Sequence, residues 1–475
     1  MRGKRGFTLR MLHKLNGGSW LLRPSPRLPL HVSWFWQFVA LLWQVAWPLV
    51  FVYFAWRGRR EPEYRAHRAE RLGGVAPTTT RPVWVHAASL GELRGAAPLW
   101  HALLQAGYPL FITTLTPAGR REAQAQFAQA LGQGQAQLAY APLELGWAVR
   151  RVVQRVAPRA AIMCEIDSWP IWLRTLRSAG VPLAMANAQY PARSLARDTR
   201  WGGLRSAVYR HYDLVLCKSS AHAARFTQVG CTRVEVTGET RFDLPLPHAQ
   251  LQAAQPLRAH WATAAGRAVV CLASTAVAED EALLAAAQQV NHALTARGVP
   301  TPLWLLVPRR PARFDGAHQA ALAYPWRVAR RSACLAADLS WPGPTPLEQA
   351  PPPDVLLGDS LGEMHFYLAL CDVVVVGDSF VPRGGHNIIE PLAQQKPVLI
   401  GPSVTGIEYP FVEAQAAGVV RQLPDTQALA DELVTWLTQP QELAQWRAKV
   451  DDFFQQHRHA TAKHMAVLRT WLLPT

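Results

Sequence analysis

A run of four valines, residues 373–376, constrains the fold more than any other feature of this chain. An uninterrupted β-branched stretch of that length forms a strand buried on both faces, which is the habit of parallel sheets covered by helices. Gly384 and Gly385 follow it, and then residues 388–395, rich in helix formers. Strand, glycine turn and helix in that order make an anion cradle, because glycines let backbone N–H groups approach a phosphate and the helix start is positive. His386, Asn387 and Glu390 stand in and after the turn, placed to hold a phosphate, a sugar and a ribose. A Gly-Gly turn before a helix is also common without a ligand, so the rest of the chain must decide.

The same rhythm recurs along the sequence. Short apolar runs at 83–87, 110–114, 160–164, 182–187, 214–217 and 234–238 alternate with helical stretches, and runs at 269–274, 303–308, 355–357, 373–377 and 397–401 repeat the pattern. An α/β fold of two doubly wound sheets facing across a cleft follows. At 475 residues the chain is too long for one ordinary core. The expected organisation is a basic N-terminal segment at 1–31, a membrane anchor at 32–56, a first Rossmann-like domain at 57–245, a Pro/Ala-rich linker at 246–261, a second Rossmann-like domain at 262–440 and a C-terminal helical segment at 441–475. The Gln/Ala-rich stretch 123–137 reads as a surface helix and the Pro-rich stretch 342–353 as a loop.

Charge narrows the partners. The 49 Lys and Arg against 33 Asp and Glu give a net charge of +16, which favours an anionic neighbour. Arginines gather on both sides of residues 32–56, a stretch with no charge and with tryptophans at 34, 36, 43, 47 and 56. That length is enough to cross a hydrocarbon core, and the aromatic content equally suits a helix lying in one leaflet. No small-x-small cleavage site follows Trp56, so the anchor is expected to stay. An anionic membrane surface is the expected partner; nucleic acid is not, because no recognised module accompanies the basic residues. The six cysteines show no metal spacing and sit mostly in apolar runs, as buried thiols of a cytoplasmic body do.

Polar residues at strand exits carry the chemistry, since ligands of open α/β sheets bind beyond the carboxyl ends of the strands. Ser89, Gly91 and Glu92 follow the first strand, and Glu165 and Asp167 the third. Ser274, Thr275, Arg309, Arg310 and the Gly384–Glu390 stretch follow strands of the second half. A carboxylate on one side and an anion cradle on the other suit group transfer from a phosphate-activated donor. Glu92 also fits a plain helix-start charge, Glu165 and Asp167 the cap of the helix at Trp169, and Arg309 a surface ion pair. No Asp-x-Asp pair stands at a strand exit, so no metal and no cofactor are expected.

From about Trp43 onward the chain closely resembles the 3-deoxy-D-manno-octulosonic acid (Kdo) transferases of lipopolysaccharide assembly. The motifs, in order, are Gly58-Arg59 with residues 68–73, Val85-His-Ala-Ala-Ser-Leu-Gly-Glu92, Thr113-Thr-Leu-Thr-Pro-Ala-Gly119, Glu165 with Trp169-Pro170, Gly238-Glu-Thr-Arg-Phe-Asp243, Leu357-Gly-Asp-Ser-Leu-Gly-Glu363, and residues 382–391 with Gly401-Pro402. The resemblance implies an inverting, metal-independent GT-B glycosyltransferase that moves Kdo from CMP-Kdo to the lipid A precursor at the cytoplasmic face of the bacterial inner membrane. Glu92 aligns with the family's general base, and Glu165 and Asp167 with a two-carboxylate motif beside the acceptor. Arg309 and the glycine turn would stabilise the CMP leaving group, Glu390 would accept ribose hydroxyls, and Ser274 or Thr275 would bind phosphate or the sugar carboxylate.

The chain departs from the family pattern at three donor-side places. Ser-Thr-His has become Ser274-Thr275-Ala276, Pro-Arg-His has become Pro308-Arg309-Arg310, and Gly-Pro-His-Thr-x-Asn has become Gly401-Pro-Ser-Val-Thr-Gly406. These changes leave open a divergent paralogue using another nucleotide-activated acidic sugar or lipid acceptor. A non-catalytic membrane scaffold is the alternative of a different class.

Overall fold

Among the described residues, fourteen strands pair in parallel throughout, in two sheets of seven. The structure is a computed structural model that describes residues 30–166, 168–200, 202–343 and 347–473. Asp167 lies outside them, as does nearly all of the basic segment expected at 1–31. In the first sheet β1 (Val83–His86), β2 (Leu110–Thr114), β3 (Ala136–Tyr140), β4 (Ala160–Cys164), β5 (Leu183–Ala188), β6 (Leu214–Cys217) and β7 (Val234–Val236) run in the order β3-β2-β1-β4-β5-β6-β7. The second has β8 (Val269–Thr275), β9 (Leu303–Pro308), β10 (Val328–Arg330), β11 (Val355–Leu357), β12 (Val373–Val376), β13 (Val398–Ile400) and β14 (Val420–Gln422), ordered β10-β11-β9-β8-β12-β13-β14. Strand order reverses between β1 and β4 and between β8 and β12, so each sheet has one switch point.

Alternation along each strand builds the core. Trp84, Ala161, Met163, Met185 and Val215 point into one cluster, while Val83, Val85, Ile162, Ala184 and Leu216 point into the opposite one. Both faces are therefore covered, which is why the strands read as continuous apolar runs. Val270, Leu272, Trp304, Leu306, Val373 and Val375 begin the same construction in the second sheet.

The described residues divide into two compact units, those up to 244 with those from 459 onward, and those within 245–458. The expected linker at 246–261 is instead folded: helix His248–Arg258 runs into a wide turn at Ala259–Thr263 and buries Ala254, Leu257 and Trp261. Arg258 pairs with Asp372 at 2.7 Å, and Gln250 Nε2 donates to the Gly362 carbonyl at 2.9 Å. Prolines at 247 and 256 disguised a helix whose remaining residues are good formers. The expected C-terminal segment at 441–475 is likewise split. Helix Pro440–His457 belongs to the second unit, whereas Ala460–Leu472 returns to the first and lays Met465, Leu468, Trp471 and Leu472 into its core. His459, in the left-handed region, makes the break, and Asp243 caps the returning helix by accepting from His459 N and Thr461 N, each at 2.6 Å. The Gln/Ala-rich stretch at 123–137 holds the end of one helix, a second short one and the start of β3.

Helix Leu30–Arg57, 28 residues with Pro48 inside, is long and apolar enough to cross a membrane. It packs on the first unit through Trp43, Trp47, Val50, Phe51 and Phe54, which meet Leu143, Leu145 and Ala148.

Candidate active site

In the first unit the site is built where β1 gives way to helix Leu90–Gln105. Ser89 has extended backbone and its hydroxyl accepts from Glu92 N at 3.3 Å. Glu92 turns back, its carboxylate accepting from Ala88 N at 2.8 Å and from the Ser89 hydroxyl at 3.1 Å. This reciprocal pair is a capping box, so the helix-start role foreseen for Glu92 is real. It does not exclude chemistry, because the same bonds hold the carboxylate in one orientation at a strand exit. Burial first, and then the charge of Glu165, raise the Glu92 pKa above the ordinary carboxylate value despite those hydrogen bonds. A carboxylate moved upward is a better proton acceptor near neutral pH. Gly91 is exposed beside it.

Glu165 stands at the exit of β4, on the other side of the switch point, with φ of 62°. A glutamate in the left-handed region is strained, and such strain persists only where the surroundings impose it. Here Arg241 imposes it: one guanidinium nitrogen donates to Glu165 Oε1 at 2.8 Å and to the Gly91 carbonyl at 3.1 Å, tying the β4 exit to the first turn of the Glu92 helix. Gly95 leaves the room, since a Cβ there would lie 2.6 Å from Arg241 Nε. Gln189, past β5, donates to Glu165 Oε2. Lys218, past β6, lies 3.4 Å from Glu165 and 2.5 Å from Glu239, past β7. Lys218 and Glu239 are both buried. Burial opposes the Glu239 charge, but Lys218 and Arg241 outweigh it and hold its pKa below the usual range. Consecutive strand exits thus converge on one network. The helix at Trp169 is capped by Glu144, whose carboxylate accepts from Ile171 N and Trp172 N, each at 3.1 Å; Glu165 is not its cap.

In the second unit the β8 and β12 exits approach so closely that a Cβ on Gly377 would lie 2.7 Å from the Ser274 carbonyl oxygen. Ser274 has φ of 59° and Asp378 φ of 60°. Thr275 is fully buried, its hydroxyl without a hydrogen-bond partner, and its carbonyl accepts from Arg309 N at 3.1 Å. Arg309 and Arg310 are exposed at the β9 exit. His386 Nε2 lies 3.4 Å from Asp378; burial first, and then the Arg309 charge, lower its pKa against the pull of Asp378. Ser274, Thr275, Arg309, Arg310 and His386 therefore gather around one switch point.

The glycine turn differs from the cradle expected. Gly384 N donates to the Ser403 hydroxyl at 2.8 Å and Gly385 N to the Asp378 carbonyl at 2.8 Å, so both N–H groups are already engaged. Gly384, with φ of 107°, is required because a Cβ would lie 2.7 Å from Gly406 N. The glycines lock the 384–385 turn to residues 403–406. The helix behind it, Ile389–Ala393, has five residues, and Asn387 Oδ1 caps it by accepting from Ile389 N at 2.9 Å. Its charge effect is small. Glu390 lies close enough to His365 for its charge to oppose the burial that lowers the His365 pKa.

Sequence reasoning passed over Glu279, which is buried at the start of helix Asp280–Thr295 and accepts from four backbone N–H groups, those of Ala276, Asp378, Ser379 and Phe380, at 2.7–3.1 Å. A loop that resembles an anion nest after β12 is filled by the protein's own carboxylate. Within Ala278-Glu-Asp-Glu281 nothing distinguished it from surface acids. Lys218, directly past β6, was missed too, while Glu239 and Arg241 lay inside a motif already singled out but were given no role. Among the described residues no cluster of His, Cys, Asp or Glu is arranged to hold a metal ion.

Two seven-stranded parallel sheets with polar clusters at their switch points define a protein of the GT-B fold class. The fold is shared with the UDP-GlcNAc 2-epimerase of Neisseria meningitidis, with a TM-score of 0.54 at 12% identity over 82% of this chain and 100% of that one. Residues 66–244 match the family model described as 3-deoxy-D-manno-octulosonic-acid transferase (kdotransferase). The 3-deoxy-D-manno-octulosonic acid transferase of Bordetella pertussis is 38% identical over 90% of this chain and 96% of its own length. That of Haemophilus influenzae is 30% identical over 77% and 81%. The chain belongs to the 3-deoxy-D-manno-octulosonic acid transferase family.

Proposed function

We propose that this protein transfers Kdo from CMP-Kdo to the lipid A precursor with inversion, and that Glu92 takes the proton of the attacking sugar hydroxyl. The observation that carries the reading is the Glu92 carboxylate, fixed by Ala88 N and Ser89 at the β1 exit and raised in pKa by burial and by Glu165. Glu165 and Arg241 hold the helix start that carries it; Ser89 orients it. In this reading Asp167 completes the acceptor-side carboxylates.

On the donor side Arg309, Arg310 and His386 supply positive charge and hydrogen bonds for the phosphate and the sugar carboxylate. CMP leaves as a phosphate monoester, so it needs charge stabilisation and no strong acid. Thr275, with an unpartnered buried hydroxyl, supplies a further donor toward the same place. The two arginines keep the cluster suited to an acidic sugar despite the changes at Ala276, Arg310 and Gly406. Gly384 and Gly385 shape this wall, while Asn387 and Glu390 frame the short helix behind it. The chemistry assigned to these residues calls for no metal. Acceptor and enzyme meet at the inner membrane, with both units on the cytoplasmic face, consistent with the buried thiols at 164, 217, 231, 271 and 371.

Glu92→Gln tests the assignment, because glutamine preserves the capping box while removing the base. Single-turnover transfer is expected to fall by about 10²–10⁴-fold with CMP binding retained. A fall of less than tenfold would remove Glu92 from the reaction.

A further inference from the structure

Helix Leu30–Arg57 has two apolar faces with different fates. Val32, Trp36, Trp43, Trp47, Phe51 and Phe54 turn toward the first unit: Trp36 Nε1 donates to the Leu204 carbonyl at 3.0 Å near one end, and the Arg71 guanidinium lies 4.2 Å from the Phe54 ring centre near the other. The opposite face, Trp34, Phe38, Leu41, Val45, Leu49, Val52 and Trp56, is more than half exposed along the whole helix at a spacing of three or four residues. A continuous apolar stripe of this size does not face water in a stable protein.

Both ends of the helix, about 42 Å apart at 1.5 Å per residue, are thus seated on one folded unit. A helix crossing a hydrocarbon core about 30 Å thick would drag that unit's polar surface into the bilayer. Positive charge gathers at both ends. Arg57, Arg59 and Arg60 with Trp56 and Glu61 line a hollow of about 400 Å³ at the C-terminal end. At the N-terminal end, where a Cβ on Gly202 would lie 3.7 Å from His31 Nε2, the segment carrying Arg193, Arg197, Arg200 and Arg205 is exposed. Arg197 and Arg205 share one carboxylate, Asp198, at 2.9 and 3.5 Å, which leaves this end in positive excess.

We infer that helix Leu30–Arg57 does not span the membrane but lies in the plane of one leaflet, exposed stripe among the acyl chains, with arginines 57–60 at one end and arginines 193–205 at the other on the phosphates of anionic lipids. The helix is apolar all round because protein covers one side and lipid the other. This deepens the membrane reading and is independent of which sugar is transferred.

The test uses the full chain with Cys334→Ser, the other cysteines being buried, in sealed vesicles containing phosphatidylglycerol with the folded units outward. Single cysteines at Ser25→Cys and Arg59→Cys are treated with a membrane-impermeant maleimide. Labelling of both before permeabilisation supports the in-plane helix; labelling of position 25 only after detergent overturns it. A fluorophore on Arg200→Cys is expected to lose at least half its emission to a headgroup-nitroxide lipid. An unquenched probe removes arginines 193–205 from the membrane surface, whatever the maleimide result. Transfer activity, measured on the same samples, reports separately on the catalytic reading.

Discussion

At the scale of single residues, the position of Glu92 sets a pH dependence. In the proposed role of base Glu92 works only when ionised, and its pKa lies above the ordinary carboxylate value. The rate should therefore fall as pH drops through that raised pKa, earlier than for an exposed glutamate. Glu165→Gln removes the second cause of the shift and leaves burial, so the acid limb of the single-turnover pH profile should move to lower pH; a limb that stays or rises would contradict the coupling. Lys218 and Glu239 form a buried pair at 2.5 Å. Lys218→Ala leaves Glu239 charged and without that partner, and urea unfolding should show a loss of about 3–5 kcal/mol. Glu92 was singled out in the sequence because it follows a strand within the motif Val85–Glu92, and the capping box that orients it emerged only from the structure. Glu239 was given no role, because a buried acid and an exposed one look alike until the strand beside them brings the lysine.

Elements show where local pattern misled. The 384–385 glycines and the residues after them read as a phosphate cradle, yet their N–H groups bond to Ser403 and Asp378. A turn that serves a ligand and one that locks two loops need the same positive φ, so both call for glycine. The true brace of this wall is Glu279. Glu279→Ala would strand four backbone N–H groups, cost on the order of 3 kcal/mol and abolish nucleotide binding. Thermal unfolding and a CMP titration check both; unchanged binding would mean the loops hold without the brace. Strands β3, β10 and β14 escaped notice: β3 begins inside the Gln/Ala-rich stretch read as a helix, and β10 and β14 carry Arg330, Arg421 and Gln422 in place of an unbroken apolar run. Helix His248–Arg258 escaped because prolines were read as breaks.

For the whole molecule, buried titratable groups of opposite sense shape stability. Burial lowers the pKa of His86 to about 3 and of His211 and His464 to about 4. His464 Nε2 faces Asn187 N at 3.3 Å and its Nδ1 the Ala460 carbonyl at 2.9 Å, a pairing that calls for the neutral ring. These depressed histidines stabilise fully above their unfolded pKa of about 6.5 and lose that stability as pH falls toward 4, because only the unfolded chain takes up the protons. Glu144, raised to about 8 by burial, acts the other way: the folded chain keeps a proton that the unfolded chain releases above its ordinary carboxylate pKa. Its contribution is full at low pH and is lost as pH rises through about 8. Stability from these groups should rise to about pH 6.5 and fall beyond it, and Glu144→Gln should abolish the fall; urea midpoints across pH 4–8 check this. The two-sheet plan was readable from the strand rhythm, whereas the return of Ala460–Leu472 to the first unit was not, since nothing in an amphipathic helix names the core it joins. The measurement that bears most directly on the whole account is mass spectrometry of tetra-acylated lipid A precursor after incubation with the solubilised protein and CMP-Kdo. Mass gains of one or more Kdo units are predicted. An unmodified acceptor, from protein that binds CMP, would contradict the proposed transfer.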